Sequence, residues 1–344
     1  MNPETLLRLV RKNILSLAPY STARDEYKGS IGIFLDANEN PFDNGYNRYP
    51  DPRQSELKEI ISQIKGIPVQ QIFVGNGSDE AIDLCLRIFC EPRTDNIVTI
   101  TPTYGMYRVA ADINNVEVRE VQLNDDFTLP TDKILASCDK NTKLIFLCSP
   151  NNPTGNSFSI EDVRRLTECF SGIVVIDEAY IDFSSHQSAT MMLDEYENLI
   201  VLQTLSKAYG LAALRMGLAF AQKDIIEIFS NVKYPYNINS AGMERAKELL
   251  KRDVKAEISL LISERERLSH RLAEIEGIKH VYPSDANFLL VKSDNARLLY
   301  ERLIKENIIV RDRSQVKGCE GCLRITVGTP QENNRLLEAL GRCM

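Results

Sequence analysis

Residues 204–217 read Thr-Leu-Ser-Lys-Ala-Tyr-Gly-Leu-Ala-Ala-Leu-Arg-Met-Gly and close a short apolar run of the chain. A lysine placed after an apolar run, as Lys207 is here, can form a Schiff base with an aldehyde. Thr204 and Ser206 flank it on one side, and Arg215 follows on the other. Two hydroxyls and a guanidinium are suited to hold a phosphate group. The stretch therefore predicts a site for a phosphorylated aldehyde.

A carboxylate upstream of this stretch supports the same interpretation. Residues 173–180 read Ile-Val-Val-Ile-Asp-Glu-Ala-Tyr. Asp177 thus stands at the end of an apolar run that is typical of a buried strand. Lys207 and Asp177 together indicate an enzyme that uses pyridoxal 5′-phosphate.

Short apolar strands alternate with helical patterns through the middle of the chain, which predicts an α/β domain with a mostly parallel seven-stranded sheet. The predicted strands are Ile72–Val74, Ile97–Ile100, Glu117–Val121, Leu144–Cys148, Ile173–Ile176, Leu199–Thr204 and Leu218–Phe220. Parallel sheets bind ligands at the carboxyl ends of their strands. The turn Gly75–Glu80 follows the first strand and opens a helix, so its backbone N–H groups suit a phosphate.

The pattern changes after about residue 240, and it predicts a smaller α+β domain. A charged helix is expected over Met243–Ile275, followed by strands and helices at His280–Tyr282, Phe288–Val291, Ala296–Lys305, Ile308–Val310, Leu323–Val327 and Gln331–Leu340. We therefore expect three parts: an N-terminal arm that belongs partly to the small domain (1–45), a large cofactor domain (46–245) and the small domain (246–344).

Composition and charge disfavour several classes of protein. The net charge of −7 argues against nucleic-acid binding. Apolar runs fall short of the roughly 20 residues that span a bilayer, and charges interrupt the N-terminal apolar residues, unlike a signal peptide. A cytoplasmic protein with reduced cysteines is expected. Cys319-x-x-Cys322 has neither a second pair nor a nearby histidine, so we expect two free thiols in a turn and no metal.

Five motifs show that nearly the whole chain resembles the fold-type I pyridoxal-phosphate enzymes, specifically the class I and II aminotransferases. They are Gly-Asn-Gly-Ser-Asp-Glu (75–80), Pro-Thr-Tyr-Gly-Met-Tyr (102–107), Ser-Pro-Asn-Asn-Pro-Thr-Gly (149–155), Asp-Glu-Ala-Tyr (177–180) and residues 206–217. Segments 18–26, 35–41, 48–52 and 323–329 resemble the histidinol-phosphate aminotransferases in particular. The opening motif departs from that family's pattern only slightly, with Thr22 after Ser21.

The resemblance implies a role for each residue of the cofactor site. Lys207 would bind the cofactor and move the substrate proton, and Asp177 would pair with the pyridine nitrogen. Asn152 and Tyr180 would hydrogen-bond the phenolic oxygen, while Tyr104 would stack on the ring. The cofactor phosphate would contact the backbone of Ser78 and Asp79, the side chains of Thr204, Ser206 and Arg215, and Tyr49 of the partner subunit in a homodimer.

The same resemblance implies substrate contacts from Tyr20, Asn152, Tyr236, Arg311 and Arg324. Two arginines could serve both the phosphate of histidinol phosphate and the carboxylates of glutamate and 2-oxoglutarate. Within Val310-Arg-Asp-Arg313 either arginine could be the ligand, and Arg311 is favoured because it directly follows a predicted strand.

Three alternatives to a histidinol-phosphate transaminase remain at this point. A threonine-phosphate decarboxylase would bind a similar substrate, and the motif around Lys207 does not distinguish the two reactions. An aromatic amino-acid aminotransferase is disfavoured by the phosphate-directed Tyr20 and Arg311. A pyridoxal-phosphate-binding transcriptional regulator would need a DNA-binding domain, which the acidic charge and the position of the opening motif at residue 18 disfavour.

Overall fold

The computed structural model describes residues 3–20 and 32–343, so residues 21–26 of the opening motif lie outside the described residues. Its helices are α1 (Pro3–Leu9), α2 (Lys12–Leu15), α3 (Ser55–Lys65), α4 (Ser78–Phe89), α5 (Met106–Ile113), α6 (Thr131–Ala136), α7 (Ile160–Cys169), α8 (Lys223–Val232), α9 (Ser240–Leu249), α10 (Lys255–Ala273), α11 (Ala296–Lys305) and α12 (Pro330–Cys343). In the described ranges no helix is both long and apolar enough to cross a membrane.

A seven-stranded sheet forms the centre of the larger unit. Its strands are β1 (Ile72–Asn76), β2 (Asn96–Thr101), β3 (Glu117–Gln122), β4 (Thr142–Cys148), β5 (Ile173–Asp177), β6 (Leu199–Thr204) and β7 (Met216–Phe220), in the order β1-β7-β6-β5-β4-β2-β3. The strands from β2 to β6 pair in parallel, and β7 runs antiparallel to both of its neighbours. The predicted α/β fold with a mostly parallel sheet is confirmed.

Apolar side chains cover both faces of this sheet, which explains its continuous apolar strands. In β5, Val174 and Ile176 belong to one buried cluster, whereas Ile173 and Val175 belong to another. Successive residues of a strand point to opposite faces. Helices on both faces therefore bury all of β5, and only its last residue, Asp177, brings a charge to the carboxyl edge.

Side-chain hydrogen bonds satisfy N–H groups at the starts of two helices. The Ser159 hydroxyl accepts a hydrogen bond of 3.0 Å from the Asp162 N–H at the start of α7. The Asp51 carboxylate accepts one of 2.7 Å from the Ser55 N–H at the start of α3. Such caps satisfy N–H groups that have no partner within the helix.

The smaller unit has an antiparallel sheet of β8 (Ile278–Val281), β9 (Phe288–Ser293), β10 (Arg311–Asp312) and β11 (Cys322–Thr326), in the order β10-β11-β9-β8. Two predictions for this unit are wrong. The expected helix Met243–Ile275 is divided into α9 and α10, and the Asp253 carboxylate accepts from the Lys255 N–H (2.9 Å) where the second helix begins. The strand expected over Ile308–Val310 begins only at Arg311, because pairing with β11 starts there.

The N-terminal arm contacts the larger unit. Leu6 and Val10 are buried in the same cluster as Phe89 of α4, and the Arg11 N–H donates to the Ile88 carbonyl (2.9 Å). The sequence suggested packing with the smaller unit instead. The domain boundaries near residues 45 and 245 stay predictions. Cys319 and Cys322 are buried free thiols at the two ends of a turn, and Cys322 is also the first residue of β11.

Candidate active site

One cavity lies at the carboxyl edge of the large sheet, where β1, β4, β5 and β6 end. The strand ends bring most of the predicted cofactor residues to its wall, as parallel topology requires. The lining residues are Gly77, Ser78, Asp79, Tyr104, Cys148, Asn152, Asp177, Ala179, Tyr180, Thr204, Ser206, Lys207, Ala212 and Arg215.

Asp177 is a buried acid at the floor of this cavity, with 2% of its surface exposed. Burial raises the pKa of its carboxyl to about 6. The Tyr107 hydroxyl (2.8 Å) and the Ala179 N–H (3.1 Å) donate to the carboxylate and limit this rise. A buried carboxylate with two neutral donors is stabilised further by a cation. The site is thus suited to hold a protonated ring nitrogen.

Replacing Asp177 with asparagine should stabilise the cofactor-free protein near pH 8 by about 2 to 3 kcal/mol. The pKa of Asp177 is higher in the folded than in the unfolded chain, so ionisation of the carboxyl opposes folding. This penalty is absent below pH 4, grows as the pH rises to 6, and is complete above it. Urea unfolding at several pH values measures the difference.

The control for this prediction is Asp125→Asn, which removes an exposed carboxylate and should leave the free energy of unfolding unchanged. Asp177→Asn should lose its advantage as the pH falls from 6 to 4. A variant less stable than the parent at pH 8 would show that the carboxylate is favourable without a cation.

Lys207 also lines the cavity, and its Nζ atom lies 5.7 Å from the centre of the Tyr180 ring. Desolvation lowers the pKa of its amine, and Arg324 and Arg215 lower it further, against the opposing effect of Asp177. A lowered pKa increases the neutral fraction of the amine, and only the neutral form is a nucleophile or a base.

The turn between β1 and α4 forms a cradle for an anion. Within the described residues, no side chain caps the start of α4 at Gly77, whose φ is 75°. A Cβ atom at Gly77 would lie 2.7 Å from Nη2 of Arg215, and one at Gly217 would lie 2.0 Å from the backbone nitrogen of Ser78. Both positions therefore need glycine. The uncapped helix start leaves the N–H groups of Ser78 and Asp79, which line the cavity, without an intrahelical partner.

Polar side chains complete this cradle. Thr204 Oγ1 accepts from the Ser206 N–H (3.1 Å), which fixes both hydroxyl-bearing residues at the rim. Arg215 is anchored by Nη1 to the Ala212 carbonyl (3.3 Å) and lies 3.8 Å from the Asp79 carboxylate. The Tyr104 hydroxyl donates to Asp79 (3.1 Å). The donor set of backbone N–H, hydroxyl and guanidinium groups is that of a phosphate site.

A third group of residues joins the two units of the chain. The Asn152 amide nitrogen lies 3.4 Å from the Tyr180 hydroxyl, to which it donates. Arg324 of β11 donates from Nη1 to the Asn152 carbonyl oxygen (2.5 Å), and its guanidinium lies 5.3 Å from the centre of the Phe288 ring. The small sheet therefore brings a cation to the cavity rim, next to the residues that follow β4 and β5.

Four other residues that were predicted to contact the substrate or the cofactor do not line this cavity. Arg311 is exposed and lies directly opposite Arg324 in the small sheet. Tyr49 and Tyr236 stack on each other with ring centres 4.4 Å apart, and they line a second cavity. Tyr20 is 72% exposed.

Two contacts of the site were not predicted from the sequence. Tyr107 is fully buried, stacks on Phe146 and donates to Asp177. Tyr104 precedes the first residue of α5, and its ring packs edge-on against that of Tyr107 with centres 5.6 Å apart. The ring of Phe288 packs edge-on against Tyr180, a contact between distant parts of the chain that no local pattern indicates.

The residues present fit a phosphorylated pyridine aldehyde. A buried carboxylate, an amine of lowered pKa and an anion cradle line one cavity, and by their chemistry they suit the ring nitrogen, the aldehyde and the phosphate of such a molecule, respectively. Each part of the molecule would then meet the kind of group that binds it.

Comparison with known proteins identifies close relatives. The family model "Aminotransferase class I and II" matches residues 35–340. A histidinol-phosphate aminotransferase of Parabacteroides distasonis is 53% identical over 96% of this chain and 97% of its own length. The structure of the Clostridium acetobutylicum histidinol-phosphate aminotransferase matches with a TM-score of 0.79 and 25% identity, over 86% of this chain and 90% of that one. The Sinorhizobium meliloti histidinol-phosphate aminotransferase, in complex with pyridoxal-5′-phosphate, shares the fold (TM-score 0.78, 23% identity, 86% and 83% covered).

Proposed function

The chain belongs to the class I and II aminotransferase family, and from that premise we propose that it transfers an amino group between L-histidinol phosphate and 2-oxoglutarate. The products are imidazole-acetol phosphate and glutamate, and the reaction belongs to histidine biosynthesis. The observation that best supports this choice of substrates is the position of a cation, Arg324, at the rim of the cavity that holds Lys207. Both substrates are anions that an arginine binds well.

The enzyme depends on pyridoxal 5′-phosphate. When bound, this cofactor supplies an aldehyde that takes up the amino group and a ring that withdraws electrons from the reacting carbon. Asp177 would hold the proton on the ring nitrogen, and Asn152 and Tyr180 would donate to the phenolic oxygen. Ser78, Asp79, Thr204, Ser206 and Arg215 would hold the phosphate, with Tyr104 against the ring.

Proton movement falls to Lys207. Its Nζ would take the proton from the substrate carbon that bears the amino group, because it is the amine of lowered pKa in the cavity. Asp177 stays ionised when paired with a cation, since an opposite charge lowers its pKa. The two groups thus have separate tasks: Lys207 moves a proton and Asp177 holds one.

Substrate orientation would come from the small sheet. Arg324 donates to Asn152 and rests on Phe288, so its guanidinium is fixed before the substrate arrives. A fixed guanidinium loses little entropy on binding phosphate or carboxylate. Arg311, opposite in the sheet, would add a second cation. Tyr20 and Tyr236 are proposed as further substrate contacts.

We also propose that two copies of the chain associate. Large apolar side chains between residues 32 and 50 are exposed, with Ile33 at 91%, Leu35 at 87% and Phe42 at 80%. An apolar surface of this kind favours an interface. Tyr49 belongs to the same segment, and we propose that it reaches the cofactor phosphate of the partner subunit.

A mixing experiment tests the contact by Tyr49. Tyr49→Ala and Lys207→Ala, each with little activity alone, should give an active hybrid when unfolded and refolded together. One site of the hybrid then combines the intact Lys207 of one copy with the intact Tyr49 of the other. A mixture as inactive as its components would place Tyr49 in its own chain's site.

The proposed reaction is tested by steady-state assay of the cofactor-loaded enzyme. Formation of glutamate from 2-oxoglutarate should require histidinol phosphate, and the unphosphorylated alcohol histidinol should be a far poorer donor. Release of CO₂ from threonine phosphate, or a preference for phenylalanine or tyrosine, would contradict the assignment.

A further inference from the structure

A third arginine, Arg313, lies on the same side of the small sheet as Arg311 and Arg324. Arg311 is directly opposite Arg324 in the register of β10 and β11. The Arg313 N–H donates to the Cys322 carbonyl (2.9 Å), which continues the pairing one residue beyond Asp312 and places Arg313 two residues from Arg311 along the strand. Opposite residues of an antiparallel pair share a face, and so do residues two apart. The three guanidinium groups therefore belong to one face.

Arg313 is directed inward rather than into solvent. Its side chain is half-buried, and its Nε atom is buried without a hydrogen-bond partner among the described residues. Desolvation lowers the pKa of Arg313, as do Arg324 and Arg311, whereas Tyr180 raises it. Tyr180 lines the cavity that holds Lys207. The Arg313 guanidinium is thus close enough to Tyr180 to interact electrostatically with the active site. Its buried Nε–H has no acceptor among the described residues.

The charge of this arginine cluster is not balanced within the described part of the chain. None of Arg311, Arg313 and Arg324 forms an ion pair with a described carboxylate. Asp312 lies between two of them in sequence, but its carboxylate lies 3.9 Å from Arg297 and accepts from the Ser314 N–H. Like charges on one face repel, and a buried donor without a partner is costly. A ligand with more than one negative charge would relieve both.

We propose that Arg313 is a specificity-determining residue that binds the substrate phosphate together with Arg311 and Arg324. The inference rests on the proposed function and deepens it. A phosphate monoester carries about 1.5 to 2 negative charges near neutral pH and offers three acceptor oxygens. A carboxylate carries one charge and two oxygens, which two arginines satisfy. Arg313 therefore favours the phosphorylated amine over glutamate at a site that both must use.

The test compares Arg313→Gln with Lys317→Gln, which removes a positive charge from an exposed position of the same loop. Each cofactor-loaded enzyme is assayed with histidinol phosphate, histidinol and glutamate, and kcat/KM is measured for each amine. Arg313→Gln should lower the preference for histidinol phosphate over histidinol by about 10- to 100-fold. The value for glutamate should change by less than about 3-fold, since other arginines hold its carboxylate.

Further measurements separate binding from a structural role. Inorganic phosphate should inhibit the parent enzyme competitively and Arg313→Gln more weakly, while Arg313→Lys should retain part of the preference and Lys317→Gln all of it. An equal loss for all three amines, or an unchanged preference, would overturn the role of Arg313. A parent enzyme without any preference for histidinol phosphate would instead overturn the proposed function itself.

Discussion

Lys207→Ala should reduce turnover by at least about 10⁴-fold, because no other described side chain that lines the cavity carries an amine. Without Nζ of Lys207, the proton on the reacting carbon would have no base of suitable pKa, since Asp177 would be committed to the ring nitrogen in the proposed mechanism and Tyr180 has a raised pKa. Both half-reactions need this proton transfer, so both should fail. Stopped-flow absorbance with each amine and keto acid measures the two rates separately.

Lys207→Arg is the matched control for charge and length. It keeps a cation in the cavity, but a guanidinium remains protonated at every accessible pH and cannot act as a base. It should therefore be as inactive as Lys207→Ala, while thermal unfolding of both cofactor-free variants should resemble that of the parent. Substantial turnover by either variant would remove Lys207 from the mechanism.

Arg324→Ala should lower kcat/KM by about 10² to 10³-fold for histidinol phosphate and for glutamate alike. One guanidinium at the rim would orient the phosphate in one half-reaction and a carboxylate in the other. Its loss also removes the donor to the Asn152 carbonyl and the cation over Phe288. The two half-reactions, measured separately on the cofactor-loaded variant, provide the comparison.

Two substitutions calibrate this effect. Arg324→Lys keeps the charge but not the planar fork, so it should recover only part of the loss. Arg271→Ala removes an exposed arginine that pairs with Glu274 near the end of α10, and it should behave like the parent. A loss confined to one substrate would show that the two half-reactions use different cations.

The chemistry of the cavity could be predicted largely because it depends on where strands end. An apolar run followed by an acid or a lysine is visible in the sequence, and parallel topology brings such ends together. Asp177 and Lys207 were found in this way. The phosphate-binding turn at Gly77 could be predicted equally well, because it leads directly into a helix start that has no capping side chain.

Contacts between distant parts of the chain could not be predicted. The sequence favoured Arg311 as the arginine after a strand, yet the strand begins at Arg311, and pairing with β11 brings Arg313 to the same face. This register depends on which residues of β10 and β11 face each other. The break between α9 and α10 was missed for a related reason, since a charged helical pattern continues through it and only the cap at Asp253 marks the new start.

The central claim is that the cavity at the carboxyl edge of the large sheet transfers an amino group from histidinol phosphate. The most direct measurement is a single half-reaction of the cofactor-loaded protein, with histidinol phosphate added and no keto acid present. We predict that the cofactor's long-wavelength absorption is lost within one turnover and returns when 2-oxoglutarate is added. An absorption that stays unchanged by histidinol phosphate, in a protein that has bound the cofactor, would contradict the assigned substrate.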